Sequence, residues 1–93
     1  MTVEIDSITA AVVAAIRQVL RDTGREPAAV EPQMLLVADI GLDSLDLAQI
    51  IVLLERSLGV DPFRDAMGSA PHPPIRTVDH LVALYAATLA ARS

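Results

Sequence analysis

A chain of 93 residues has room for one domain with a modest core. It contains no cysteine, which excludes disulfides and thiolate metal sites, and its net charge of −5 argues against a nucleic-acid partner. The composition is 53% hydrophobic with one Phe, one Tyr and no Trp, which suits closely packed helices better than a sheet.

The first predicted element is a helix over residues 5–21, with Ile5, Ile8, Val12, Ala15, Ile16, Val19 and Leu20 on its inward face. Asp6 or Ser7 is the expected cap, Arg17 and Arg21 sit favourably near the C-terminal end, and Gly24 stops the helix. Glu4 and Asp6 precede the apolar stretch where a signal peptide would carry positive charge, and no run approaches a membrane span. A cytoplasmic protein is the expectation. Residues 25–33 read as loop because of Pro27 and Pro32. The apolar run Met34-Leu35-Leu36-Val37 is too isolated for a strand, so a turn or two pinned to the core is expected.

The most informative stretch is Asp39 to Leu58. It opens with a turn at Gly41, places Ser44 between Asp43 and Leu45, and then runs apolar until Gly59, a helix stop. Leu47, Ile50, Ile51, Leu54 and Leu58 gather on one face as a core stripe. Leu45, Ala48 and Val52 form a second apolar stripe beside Ser44, rimmed by Asp46, Gln49, Glu55 and Arg56. Capping would account for Ser44 or Asp43 singly, but not for a partner-facing stripe on the same helix. A helix N-terminus is also a good seat for a phosphate ester, since free N–H groups and the dipole both favour an anion. Of the net charge, residues 31–61 hold six acids against Arg56, so acidity surrounds Ser44 and suits basic enzyme surfaces.

Beyond Leu58, Asp61-Pro62 reads as a cap with proline at the first helical position, which predicts a short helix from Pro62 to Met67 ended by Gly68. The stretch through Pro71-His72-Pro73-Pro74 is loop. Thr77 caps a last helix from Val78 to about Ala91, with Val78, Leu81, Val82, Tyr85 and Leu89 inward and Asp79 in its first turn. His72 and His80 lack metal-ligand spacing and are expected to be solvated. A Ser-His-Asp hydrolase is a poor rival reading of Ser44, because the second glycine of the nucleophile elbow and its preceding strand are both missing.

The motif Asp39-Ile40-Gly41-Leu42-Asp43-Ser44-Leu45, followed by an amphipathic helix, resembles the modification site of the acyl carrier proteins. Leu36 stands where that family carries a bulky apolar residue, and Ile75-Arg76-Thr77-Val78 matches the family's lead into the last helix. The resemblance is strongest over residues 36–58 and weakest over 61–74, where the connection from Val60 to Ile75 is longer than usual by about a turn of helix. It implies an all-α, antiparallel four-helix carrier bundle spanning residues 1–93 as a single domain, three main helices plus a short third one, with no catalysis of its own. It implies 4′-phosphopantetheine on Ser44, whose terminal thiol holds acyl groups as thioesters. Asp43 assists attachment, helping to bind Mg²⁺ in the complex with a phosphopantetheinyl transferase.

Further partners implied are acyltransferase, ketosynthase-type or ligase enzymes docking on Leu45, Asp46, Ala48, Gln49, Val52, Glu55 and Arg56, with the carrier itself monomeric. Peptidyl carriers generally have histidine before the serine, so Asp43 favours an acyl carrier. Gln49 and Arg56 replace the glutamates of fatty-acid carriers, which favours a specialised, polyketide-type pathway. A chain opening at Met1 and ending just past its last helix suggests a free-standing carrier, although a domain cut from a larger synthase would look alike. Peptidyl and fatty-acid carriers are the alternatives, and a small helical binding module is the remote one.

Overall fold

The computed structural model describes residues 4–25, 29–62 and 75–92. Three helices make up the regular structure of these residues: α1 (Ile5–Asp22), α2 (Ser44–Leu58) and α3 (Val78–Arg92). The expected short helix from Pro62 to Met67 lies, beyond Pro62, outside the described residues, as does His72.

α1 packs against both α2 and α3. Its inward face is as the periodicity predicts, with Val12, Ile16 and Val19 fully buried and Ile8, Ala15 and Leu20 nearly so. Ile5 departs from expectation, being 52% exposed at the helix's first residue. The cap also differs. Glu4, rather than Asp6 or Ser7, precedes the first turn and makes no side-chain cap bond, while Ser7 Oγ donates to the Glu4 carboxylate (3.2 Å). At the other end Thr23 hydroxyl bonds the Val19 carbonyl (2.8 Å), and Gly24 follows with φ of 76°, a left-handed turn that glycine takes at no steric cost.

On α2, Ile50 and Leu54 are fully buried, and Leu47, Leu53 and Leu58 pack half-buried against them. Leu53 thus joins the core stripe, while Ile51 is half-buried and outside the packed cluster. Gly59 stops the helix in the left-handed region (φ 77°), its N–H donating to the Glu55 carbonyl (2.8 Å). α3 buries Val78, Leu81, Val82 and Tyr85, with Leu89 packed against the core. The Tyr85 hydroxyl has no hydrogen-bond partner among the described residues. Burial first, and then the carboxylates of Asp61 and Glu55, hold its pKa well above the ordinary value, so the phenol stays protonated.

The run Met34 to Val37 is a turn, as expected, but it has a partner. Leu35 and Thr77 form an isolated antiparallel bridge. Leu36 N–H donates to the Arg76 carbonyl (2.8 Å), Val78 N–H to Met34 (3.1 Å) and Asp79 N–H to Pro32 (2.9 Å), so the loop's carbonyls satisfy the orphan donors at the start of α3. Leu36 (2% exposed) and Leu42 (1%) are driven into the core at either end of this loop. Thr77 caps α3 by accepting the His80 N–H (3.1 Å), and His80 Nδ1 accepts in return from the Arg76 and Thr77 N–H groups (3.0 and 3.3 Å). His80 is exposed, as anticipated, but its ring closes a reciprocal cap that the periodicity does not announce.

The packing separates two neighbouring positions on α2. Leu54→Ala should cost roughly 2–5 kcal/mol, as fully buried leucines do. Val52→Asp, at a position 49% exposed, should leave the denaturation midpoint nearly unchanged. Urea unfolding of the two variants checks the rotation of the helix.

Candidate functional site

The site is built where the loop enters α2. Gly41 turns the chain with φ of 85°, and Leu42 plugs into the core, its N–H donating to the Leu36 carbonyl (3.0 Å). That anchor delivers Asp43 in extended conformation at the N-cap of α2. Asp43 Oδ1 accepts the Asp46 N–H (2.8 Å), and Asp46 Oδ2 accepts the Asp43 N–H (3.1 Å), a reciprocal capping box. The spacing of two aspartates three residues apart at a helix start is the sequence signal for it.

Asp43 therefore performs the capping that was an open alternative for Ser44. Ser44 is the first residue of the helix, is exposed, and its hydroxyl makes no hydrogen bond among the described residues. The Leu47 N–H reaches the Asp43 carbonyl (3.0 Å), and the box uses those of Asp43 and Asp46. The N–H groups left without an intrahelical partner are those of Ser44 and Leu45. A free hydroxyl beside two free donors at the positive end of a helix dipole fits a phosphodiester.

Asp46 corrects an expectation. The helical spacing places it on the docking rim, yet it is only 4% exposed, and its Oδ2 also accepts from Arg25 Nη2 at 2.6 Å. Its hydrophilicity reflects a buried capping and ion-pair role, so it offers little surface to a partner. The hydrogen bond from Arg25 above all, and then the Asp43 N–H, hold its carboxyl below the ordinary value of 3.8, against the opposing effect of burial. Arg25 Nη1 donates to the Gly41 carbonyl (2.8 Å) and Nε to the Thr23 hydroxyl (3.0 Å). Sequence reasoning placed Arg25 only in a loop, because its ionic partner lies 21 residues away along the chain.

The remaining rim is arranged as the helical wheel implies. Leu45 is 66% exposed and Val52 49%, and Ala48, Gln49 and Arg56 are exposed as well. Glu55 is half-buried. Ala48, Gln49, Val52 and Leu53 line, with Asp22 of α1, a shallow hollow of about 300 Å³. Among the described residues there is no cluster of three His, Asp or Glu side chains able to hold a metal, and no helix long and apolar enough to cross a membrane.

The described residues thus form a helical domain that presents an exposed serine hydroxyl at the start of its second helix, beside an exposed apolar stripe. The family model of the phosphopantetheine attachment site matches residues 11–67, and the chain belongs to that family. Its cofactor is covalently attached 4′-phosphopantetheine, and its class interacts with transferases and biosynthetic enzymes. Comparison with curated proteins and with solved structures returns no significant match.

The pair Asp46–Arg25 gives the site a defined acid response. A carboxyl whose folded pKa is depressed contributes stability that is complete above its unfolded value and is lost as pH falls through the folded value. The stability gap between wild type and Asp46→Asn should therefore be constant from neutral pH down to about 5 and should close progressively as pH falls through 3.8 toward the lower folded value. Urea midpoints measured from pH 7 to pH 2.5 test this, and a gap that persists unchanged at the acid end would refute it.

Proposed function

We propose that this chain is an acyl carrier protein in which Ser44 bears the 4′-phosphopantetheine arm. The observation that carries the reading is that Ser44, at the first position of α2, is exposed and left out of a cap that Asp43 and Asp46 complete between themselves. The arm, when bound, supplies a thiol that holds acyl groups as thioesters. Ser44 provides the ester oxygen: it bonds to the pantetheine-side phosphorus of coenzyme A as the anhydride bond to the nucleotide breaks, adenosine 3′,5′-bisphosphate leaves, and the serine proton passes to a base of the transferase that loads it. The N–H groups of Ser44 and Leu45 stabilise the phosphodiester charge. Asp43 orients this turn and assists loading through the Mg²⁺ of the transferase complex.

The domain itself performs no catalysis in this reading, and residues 1–93 form a single carrier domain, an antiparallel four-helix bundle once a short helix after Asp61 is included. Leu45, Ala48 and Val52 are the docking stripe, with Gln49, Glu55 and Arg56 at its edge and the hollow beside Val52 as its recess. Gln49 and Arg56, where fatty-acid carriers have glutamates, support a specialised, polyketide-type pathway in the cytoplasm. Its partners would be acyltransferase and ketosynthase-type enzymes.

Ser44→Ala tests the assignment. The variant should stay folded, because the cap belongs to Asp43. It should show no mass increase when incubated with a phosphopantetheinyl transferase and coenzyme A. Full modification of this variant would remove Ser44 as the site.

Charge at the edge of the stripe acts mainly through encounter. Arg56 is the exposed cation of α2 within an acidic segment, so Arg56→Glu should raise the association rate with a basic transferase face. Added salt should shrink that gain, since exposed charges are screened beyond about 10 Å at moderate ionic strength. Stability should move by less than about 0.5 kcal/mol. Stopped-flow association at two salt concentrations is the measurement, and an unchanged rate would leave docking to the apolar stripe alone.

A further inference from the structure

From Gly41 to Leu47 the backbone N–H groups have partners except those of Ser44 and Leu45. Gly41 donates to Val37 (3.0 Å) and its carbonyl accepts from Arg25, while Leu42 is held by Leu36 and by the core. Asp43 and Asp46 hold each other, and Asp46 is held by Arg25. Ser44 and Leu45 are left between these ties. Three of the bonds meet on one guanidinium, which spans from Thr23 at the end of α1 to Gly41 on one side of Ser44 and Asp46 on the other. Thr23 is in turn fixed to α1 through the Val19 and Leu20 carbonyls (2.8 and 3.2 Å). A planar fork with donors in fixed directions suits such a span; an ammonium's three donors radiate from a single nitrogen and lack that spread.

We infer that Arg25 is a positioning residue for loading: by bracketing residues 41–46 from α1, it fixes the start of α2 and so aims the Ser44 hydroxyl at the phosphoryl donor. The inference rests on Ser44 being the attachment site. An ion pair of this burial is weak support for global stability, since desolvation offsets much of the attraction. Its consequence is local. Without the fork, the Asp43–Asp46 box loses the cation that compensates its second carboxylate, and the turn bearing Ser44 samples orientations from which the hydroxyl is out of line.

The test compares wild type, Arg25→Gln and Arg25→Lys in the unloaded chain, at a temperature where all three are folded. Two readouts are taken, amide hydrogen exchange and the steady-state loading kinetics with coenzyme A and a phosphopantetheinyl transferase. In Arg25→Gln the Asp43 and Asp46 amides should exchange at least about tenfold faster, while Leu81 and Val82 on α3 keep their protection. The kcat of loading should fall by roughly ten- to a hundredfold, because a small misplacement of a reacting group is enough for that, with KM for the carrier changed little. Arg25→Lys should lie between the two. Wild-type kcat in Arg25→Gln, or exchange rising equally at Leu81 and Val82, would overturn the inference, the latter by making the effect a general loss of stability. If Arg25→Gln does not fold, Arg25→Lys decides alone: slower loading with protected α3 amides supports positioning, and wild-type loading refutes it. Failure of the wild type to load would sink the Ser44 assignment and this inference with it, a result distinct from all the others.

Discussion

The carboxylate of Asp46 accepts from the Arg25 guanidinium and from the Asp43 N–H at the same oxygen, and the order of the site follows from that shared atom. Because Asp46 is satisfied internally, it can sit almost fully buried in the first turn of a helix whose first two side chains, Ser44 and Leu45, are exposed. Because it receives the Asp43 N–H, Asp43 is free to turn its own carboxylate onto the helix and close the cap. Once the cap is closed without a hydroxyl, the serine between the two aspartates has no structural duty left. A residue type that elsewhere stabilises helix starts is here available for chemistry because its neighbours stand in for it.

Most of the fold is legible in the sequence because it is periodic. Val12, Ile16 and Val19 recur at helical spacing and are buried; Leu45 and Val52 fall off the core stripe and are exposed. Element ends are legible where glycine sits, at Gly24 and Gly59, since the left-handed turn there has a residue-specific cause. What is not legible depends on side chains meeting across the fold. Asp46 and Asp43 carry a capping-box spacing, yet nothing along the chain singles out Arg25 as the cation that would bury one of them. Ile5 fits the wheel but is exposed at the first residue of α1. His80 reads as an ordinary exposed ring, and its role appears only once its Nδ1 faces the backbone of Arg76 and Thr77.

The two faces of α2 divide the labour of the domain. Ile50 and Leu54 hold the helix onto the core, and the opposite stripe is spared from that task, so its composition can vary at little cost to the fold. The fixed part of the site, from Gly41 to Asp46, lies at the hinge between those faces.

The bridge between the loop at Leu35 and the entry to α3 at Thr77 has a consequence for how the chain length can evolve. It secures the far end of the connection that leaves α2, while Val60, 4% exposed, secures the near end in the core. Between two fixed anchors, lengthening a segment costs free energy only as the logarithm of its residue number, so that even a doubling adds about 0.6 kcal/mol. Added length between Val60 and Ile75 would leave both anchors in place, whereas a single added residue between Gly41 and Ser44 would rotate Ser44 out of its frame.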